Sequence, residues 1–507
     1  MENSSVWIVI IAGYAMIAGV ALLRGIGVLR ALLLLGLLAG YGWAFGADET
    51  VDTCADRPVT ATPELIAQGR MLFFDETFNG NGRTCGTCHR EDNNFTIDAD
   101  YIRKLPKSDP LFVFERVPEL RELENGALLR SRGLILENLD GFDRPPVFRA
   151  VQQTLGLSQT MSIGVIDSVT GLPVHETGWS GDGAPGDGSL RCFAVGAIVQ
   201  HAPKTLQRRP GIDFRWPTSE ELDAMLAFQL SLGRQETPQL STMQFVDPDV
   251  QMGAFKFSNA VMRTRAGGTD ARRCGGCHVN GGAGDQEPIQ IDRQRVTNVA
   301  GGPNAPICTG QAATIDGGLG ASVEFTETIK CGRRTVSAPF FADIDQAGTK
   351  GSFNISSLWE AVETAPFFHD HSARSVEDVL RFYESDAFNA SEGNEGRAFV
   401  FTPDDRRQLA KLLRVMSVLE NIRSALAYID QDRIDLALID IGEANDAASA
   451  VPVKWGRGGS PLIKARNAIK SFAKDTSEKL KEIWGDVSGL AGALIDGLVE
   501  GIKSGAT

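Results

Sequence analysis

Two pentapeptides carry the same spacing of reactive side chains: Cys85-Gly86-Thr87-Cys88-His89 and Cys274-Gly275-Gly276-Cys277-His278. Two thiols three positions apart, followed at once by an imidazole, can add to haem vinyl groups as thioethers, with the His held against the iron. The chain has 8 Cys and 6 His in 507 residues, so a chance match is expected in roughly one such chain per thousand. A zinc site would need four close ligands, and no paired His or second Cys pair stands at finger spacing. A redox dithiol of the thioredoxin kind would want a βαβ context, which is absent.

The other cysteines are Cys54, Cys192, Cys308 and Cys331. Outside the cytoplasm an even remainder suggests disulfides. Cys308–Cys331 would close a Gly-rich loop, and Cys54–Cys192 is left by elimination; buried free thiols are the alternative. The other histidines are His175, His201, His369 and His371. A second-face ligand of either iron would come from a short list, although a single His is more often structural.

These residues must be positioned by helices. Thr62-Pro63-Glu64 reads as an N-cap followed by a first-turn proline. Thr402-Pro403-Asp404-Asp405 adds an acidic residue in capping-box position, and the apolar stripe after it predicts a helix to about Ile429. Pro217-Thr218-Ser219-Glu220-Glu221 opens another, through Leu222 to Leu232. Strand-like alternation is scarce. Gly-, Pro- and Asp-rich stretches at 182–189 and 267–318 predict long loops, which are usually functional or pinned. A weak repeat shows in Gly69-Arg70-Met71-Leu72-Phe73-Phe74 and Gly253-Ala254-Phe255-Lys256-Phe257, each at a similar distance before one of the motifs.

Both ends differ from the body. Residues 6–45 are apolar apart from Arg24 and Arg30, and precede the acidic Ala47-Asp48-Glu49. They read as a secretory signal with a small-x-small cleavage site at Ala44-Phe45-Gly46, or as an uncleaved anchor. Either places the body in an oxidising, periplasmic or otherwise extracytoplasmic space. Residues 456–507 read as an amphipathic helical tail, docked on the surface or binding a membrane or partner. The net charge of −14, from 50 Lys+Arg and 64 Asp+Glu, repels phosphate backbones and argues against nucleic acid as a partner. The apolar content excludes a wholly disordered chain.

Together these residues resemble the bacterial di-haem cytochrome c peroxidase family, whose superfamily includes the di-haem enzyme that matures tryptophan tryptophylquinone. The resemblance covers roughly residues 62–430. Its landmarks are the two motifs with their preceding repeats, Arg144-Pro145-Pro146-Val147-Phe148, Gly178-Trp179-Ser180-Gly181-Asp182-Gly183, and Phe353-Asn354-Ile355-Ser356-Ser357-Leu358 leading into Thr364-Ala365-Pro366-Phe367-Phe368-His369-Asp370. It implies a mainly α fold of two cytochrome c-like haem domains with long irregular loops. Residues 47–240 would carry the peroxidatic haem and 241–450 the electron-transfer haem, between the export or anchor segment at 1–46 and the tail at 456–507.

The resemblance also implies roles. Trp179 matches the family tryptophan between the haems, a relay or a packing residue. Counting fourteen residues from His369 lands on Tyr383, the implied sixth ligand of the second haem alongside His278; water or His371 on that iron is the alternative. The insertion at 184–188 breaks the match on the first haem's distal side. Aligning on Leu190 puts Phe193 and Pro203 where the family has Gln and Glu. Gln200 and His201 are the polar residues left nearby, His201 as distal acid/base or as an iron ligand beside His89. The family's inter-domain calcium uses carbonyls matching Thr364 and Pro366 and an Asn that aligns with Arg144, so calcium is weakened here, since Arg cannot ligate a cation.

The implied activity is reduction of hydrogen peroxide at the first haem, with electrons from a small cytochrome c or cupredoxin passing through the second. An oxidase acting on a protein or organic substrate through high-valent iron is the alternative suggested by Tyr383. A non-catalytic electron carrier is the third reading.

Overall fold

The computed structural model describes residues 54, 57–137, 147–160, 189–245, 247–259, 273–276, 278–282, 356–359, 361–368, 371, 373–384 and 399–449, and the backbone of strands at 325–331 and 334–340. All of these belong to one unit, Cys54–Thr507. Among the described residues eight helices have seven residues or more: α1 (Pro63–Asp75), α2 (Gly126–Arg132), α3 (Leu190–His201), α4 (Ser219–Ser231), α5 (Pro248–Asn259), α6 (Val376–Glu384), α7 (Pro403–Asp430) and α8 (Ile434–Ser449). The described strands form two antiparallel hairpins, β1 (Leu134–Glu137) with β2 (Val147–Ala150), and β3 (Phe325–Cys331) with β4 (Arg334–Phe340). The second hairpin follows the 267–318 stretch expected to be loop.

Helix starts follow the caps written in the chain. Thr62 accepts from the Leu65 N–H ahead of α1. Thr218 with Glu221 and Thr402 with Asp405 close capping boxes on α4 and α7, each satisfying N–H groups the helix itself leaves free.

The two repeat glycines mark two equivalent helix crossings. A Cβ on Gly69 of α1 would run into the Ala224 carbonyl of α4, and a Cβ on Gly253 of α5 into the Gln408 carbonyl of α7. A bare Cα is what lets each backbone approach. Leu72 of α1 joins Leu222 and Met225 of α4 in one core. Val250, Ala254 and Phe257 of α5 join Leu409, Leu412 and Met416 of α7 in another.

The α7–α8 hairpin covers the loop that follows the first motif. Arg433, just before α8, pairs with Glu91 at 2.9 Å, and Asn94 donates to Glu443 of α8 at 3.2 Å. No helix among the described residues is long and apolar enough to cross a membrane. The apolar stretch at 6–45 and the tail at 456–507 lie outside the described residues.

Candidate functional site

Each motif begins in a single 3-10 turn, Cys85–Thr87 and Cys274–Gly276. The His89 N–H donates to the Cys85 carbonyl at 3.0 Å and the His278 N–H to the Cys274 carbonyl at 2.8 Å. The His89 ring then donates through Nδ1 to the Phe95 carbonyl at 2.9 Å, and the His278 ring through Nδ1 to the Ser356 carbonyl at 3.0 Å. Burial lowers the His89 pKa against the opposing Phe95 carbonyl. It lowers that of His278 to about 4, opposed by the Ser356 and Gly282 carbonyls. Both imidazoles are therefore neutral, with Nδ1 engaged and Nε2 the nitrogen carrying a lone pair, the state a metal ligand needs.

One cavity of about 420 Å³ is lined by Cys85, Cys88 and His89 from the first motif and by Cys274 and His278 from the second. Its walls are mostly apolar, including Phe193, Ala197 and Ile198 of α3 near the first motif and Phe257, Leu409 and Leu413 near the second. Cys85 and Cys88 are unbridged, and burial pushes their pKa up to about 12 and about 11. Such thiols are neutral, unlike the thiolates of a redox dithiol.

His201 ends α3 and lines the cavity. The loop ahead of Cys85 holds its backbone: the Asn81 side chain donates to the His201 carbonyl at 2.9 Å and the Pro203 carbonyl at 3.0 Å. Burial, then the charges of Arg83, Arg208 and His89, lower its pKa to about 3. Gln200, expected beside it, does not line the cavity. Its amide is buried, donates to the Leu136 carbonyl of β1 at 3.1 Å and stands 3.3 Å from Nε2 of the His201 ring, so Gln200 reaches the cavity through His201.

Tyr383 and His371 both line the cavity. Tyr383 stacks edge-on against Phe382 and Phe399. His371 has a left-handed φ of 55° and donates through Nδ1 to the Arg132 carbonyl that ends α2, at 2.7 Å. Thr364 and Pro366 also line the cavity, and no described group of three His, Cys, Asp or Glu is arranged to hold a metal ion. Cys54 and Cys192 form a disulfide. Trp179, His175, His369, Cys277, Cys308, Arg144 and the insertion at 184–188 lie outside the described residues, and of Cys331 only the backbone is described.

Three features of the site lie outside those expectations. Arg83 and Glu124 make an ion pair at 2.8 Å beside the first motif. Gln153 and Thr154 line the cavity with no hydrogen-bond partner for their side-chain nitrogen and oxygen atoms. Trp359, fully buried, donates from Nε1 to the Asn280 carbonyl at 3.2 Å, two residues past His278. Only Trp359 had a sequence signal, a tryptophan directly after the Ser356-Ser357-Leu358 landmark.

No protein-family model matches the chain, and no curated protein does. Among solved structures, the chain is similar to one described as a MauG-like protein associated with microbial copper homeostasis. The match has 14% identity, covers 74% of this chain and 95% of that one, and has a TM-score of 0.34.

Proposed function

We propose that the chain carries two covalently attached c-type haems, one on Cys85, Cys88 and His89 and one on Cys274, Cys277 and His278, and works as a di-haem peroxidase of the family its motifs resemble. The observation that carries this reading is the shared arrangement of His89 and His278. Each follows a Cys-initiated turn, is locked through Nδ1 onto a main-chain carbonyl, and faces one largely apolar cavity. An apolar cavity with neutral buried thiols and a free imidazole nitrogen fits a haem and its thioether links.

When bound, the haems supply electron transfer and the chemistry of O–O cleavage. The chain's own residues bind, orient and move protons. Phe95 and Ser356 fix the ring planes of His89 and His278. His201, neutral and held at the cavity wall by Asn81, is placed to take the proton of hydrogen peroxide bound near it and return it to the leaving oxygen. Reducing equivalents come from a small cytochrome c or cupredoxin, for which the acidic chain favours a basic patch on the donor. The Cys54–Cys192 disulfide supports an extracytoplasmic location.

Tyr383 on the cavity wall favours a second reading, an oxidase acting on a protein or organic substrate, because a phenolate ligand favours oxidised iron. Pyridine haemochrome spectra of the purified chain should give two c-type haems. Rapid peroxide consumption with a reduced cytochrome supports the peroxidase, and two haems without that turnover point to the oxidase. A chain with no bound haem overturns both.

A further inference from the structure

We propose that Gln153 and Thr154 are the donors that hold the propionate carboxylates of the haem on the first motif, an inference that rests on the haem reading above. Gln153 is 3% exposed and Thr154 7%. The amide nitrogen and oxygen of Gln153 and the hydroxyl of Thr154 have no partner, and both residues line the cavity with Cys85, Cys88 and His89. Two adjacent buried polar side chains left unpaired are costly, and native structures keep such groups where a ligand completes them.

Their position is fixed relative to His89. Val151 bridges to Ile97 across an antiparallel pair, and the Thr96 hydroxyl donates to the Val151 carbonyl. Phe95, one residue before Thr96, holds the His89 ring. One short hydrogen-bonded run thus sets both the imidazole and the segment two residues before Gln153. Other polar groups on this wall are engaged. Gln229 donates to the Met225 carbonyl, Arg83 pairs with Glu124 and Arg149 with Glu137.

The chemistry selects an oxygen acceptor. The Gln153 Nε2 and Thr154 Oγ1 are donors, while a haem set in a largely apolar cavity brings two carboxylates whose charge such donors stabilise. Donation to a carboxylate stabilises its charged form and lowers its pKa. Removing the donors must therefore raise it, and the pH range over which the neighbouring iron's potential responds to that charge moves with it.

The test is spectroelectrochemistry of the haem-loaded chain as a function of pH, on wild type, Gln153→Leu, Thr154→Val, the double variant and Thr154→Ser. The expected result is an inflection in the first haem's potential that moves to higher pH in each of the first two variants, further in the double, and returns in Thr154→Ser. If the double variant does not fold, the nearly isosteric Thr154→Val carries the test alone. A curve identical in wild type and variants overturns the proposal. So does a slowed peroxide reaction with an unmoved inflection, which would make the amide a contact for a small ligand instead. Haem counting on Cys85→Ala/Cys88→Ala separates the two readings: an unchanged count means the first motif carries no covalent haem and sinks the premise itself.

Discussion

Arg83 and Glu124 form an ion pair sealed from water beside the first motif. Arg83 Nη1 donates to Glu124 Oε1 at 2.8 Å, with the two side chains 2% and 0% exposed. Arg83 also donates to the Leu111 carbonyl at 2.7 Å, and Glu124 accepts from the Leu136 N–H at 2.7 Å. Burial raises the Glu124 pKa more than Arg83 and the Leu136 N–H lower it. Desolvation wins, so the pair specifies position more than it adds stability.

Breaking the pair on one side should be costly. Arg83→Ala or Glu124→Ala is expected to lose about 3–5 kcal/mol, while the paired replacement Arg83→Met with Glu124→Leu should come close to wild type. A double-mutant cycle by urea unfolding measures the difference. Single variants as stable as wild type would contradict the buried pair.

The two helix crossings make a matched prediction. Gly69→Ala and Gly253→Ala each gain up to about 1 kcal/mol of helix propensity. Each also drives a methyl into the carbonyl of Ala224 or Gln408. Overpacking against backbone, about 1–3 kcal/mol or more, outweighs the gain, so both variants should melt lower than wild type. Each should lower haem loading at its own motif in mass spectra of the intact chain. A raised melting temperature in either would show that its crossing is looser than described.

Stability should rise on mild acidification. Burial and the charges of Glu443 and Glu420 push Asp440 from 3.8 up to about 7, against Ser424 and Arg423. Burial with Asp446 pushes Glu443 up to about 7, against Asn94. A carboxyl whose folded pKa is raised binds its proton more tightly in the folded chain. Its contribution is fully present below about 4 and is lost as pH rises through about 7. Melting temperature should therefore climb from pH 8 to pH 6. Asp440→Asn should add about 1–3 kcal/mol at pH 8 and flatten the slope. A steeper slope in that variant would reverse the assignment.

His201 should act without a titration near its ordinary pKa. With its pKa lowered to about 3, it is neutral from pH 5 to 8, and the peroxide reaction should show no limb near 6.5 in that range. His201→Ala should slow the reaction about 10²–10⁴-fold, followed by stopped-flow absorbance. A His201→Ala chain that reacts at the wild-type rate would remove His201 from the proton path.

What could be read from the chain alone was local. The Cys-x-x-Cys-His spacing is complete within five residues, and the caps at Thr62, Thr218 and Thr402 act over a single turn. The repeat around Gly69 and Gly253 was visible as a pattern, but its meaning as two backbone crossings required the partner helices α4 and α7. The different parts of Gln200 and His201 needed the phase of α3, which puts the His201 ring on the cavity wall and the Gln200 amide behind it, between that ring and the Leu136 carbonyl. Gln153 was illegible, because its place on the same wall as His89 rests on the Ile97–Val151 bridge, a contact across more than fifty residues.

The acceptors for His89 and His278 are both main-chain carbonyls, of Phe95 and Ser356. No side-chain replacement at those positions can delete a carbonyl. The orientation of each imidazole is therefore buffered against point mutation so long as the chain keeps its course. The positions where single changes can reach the rings are those that steer that course, such as the Thr96 hydroxyl on Val151 and the Leu358 N–H on Gly281. Drift in this protein should be tolerated at the acceptors and resisted at the steering positions.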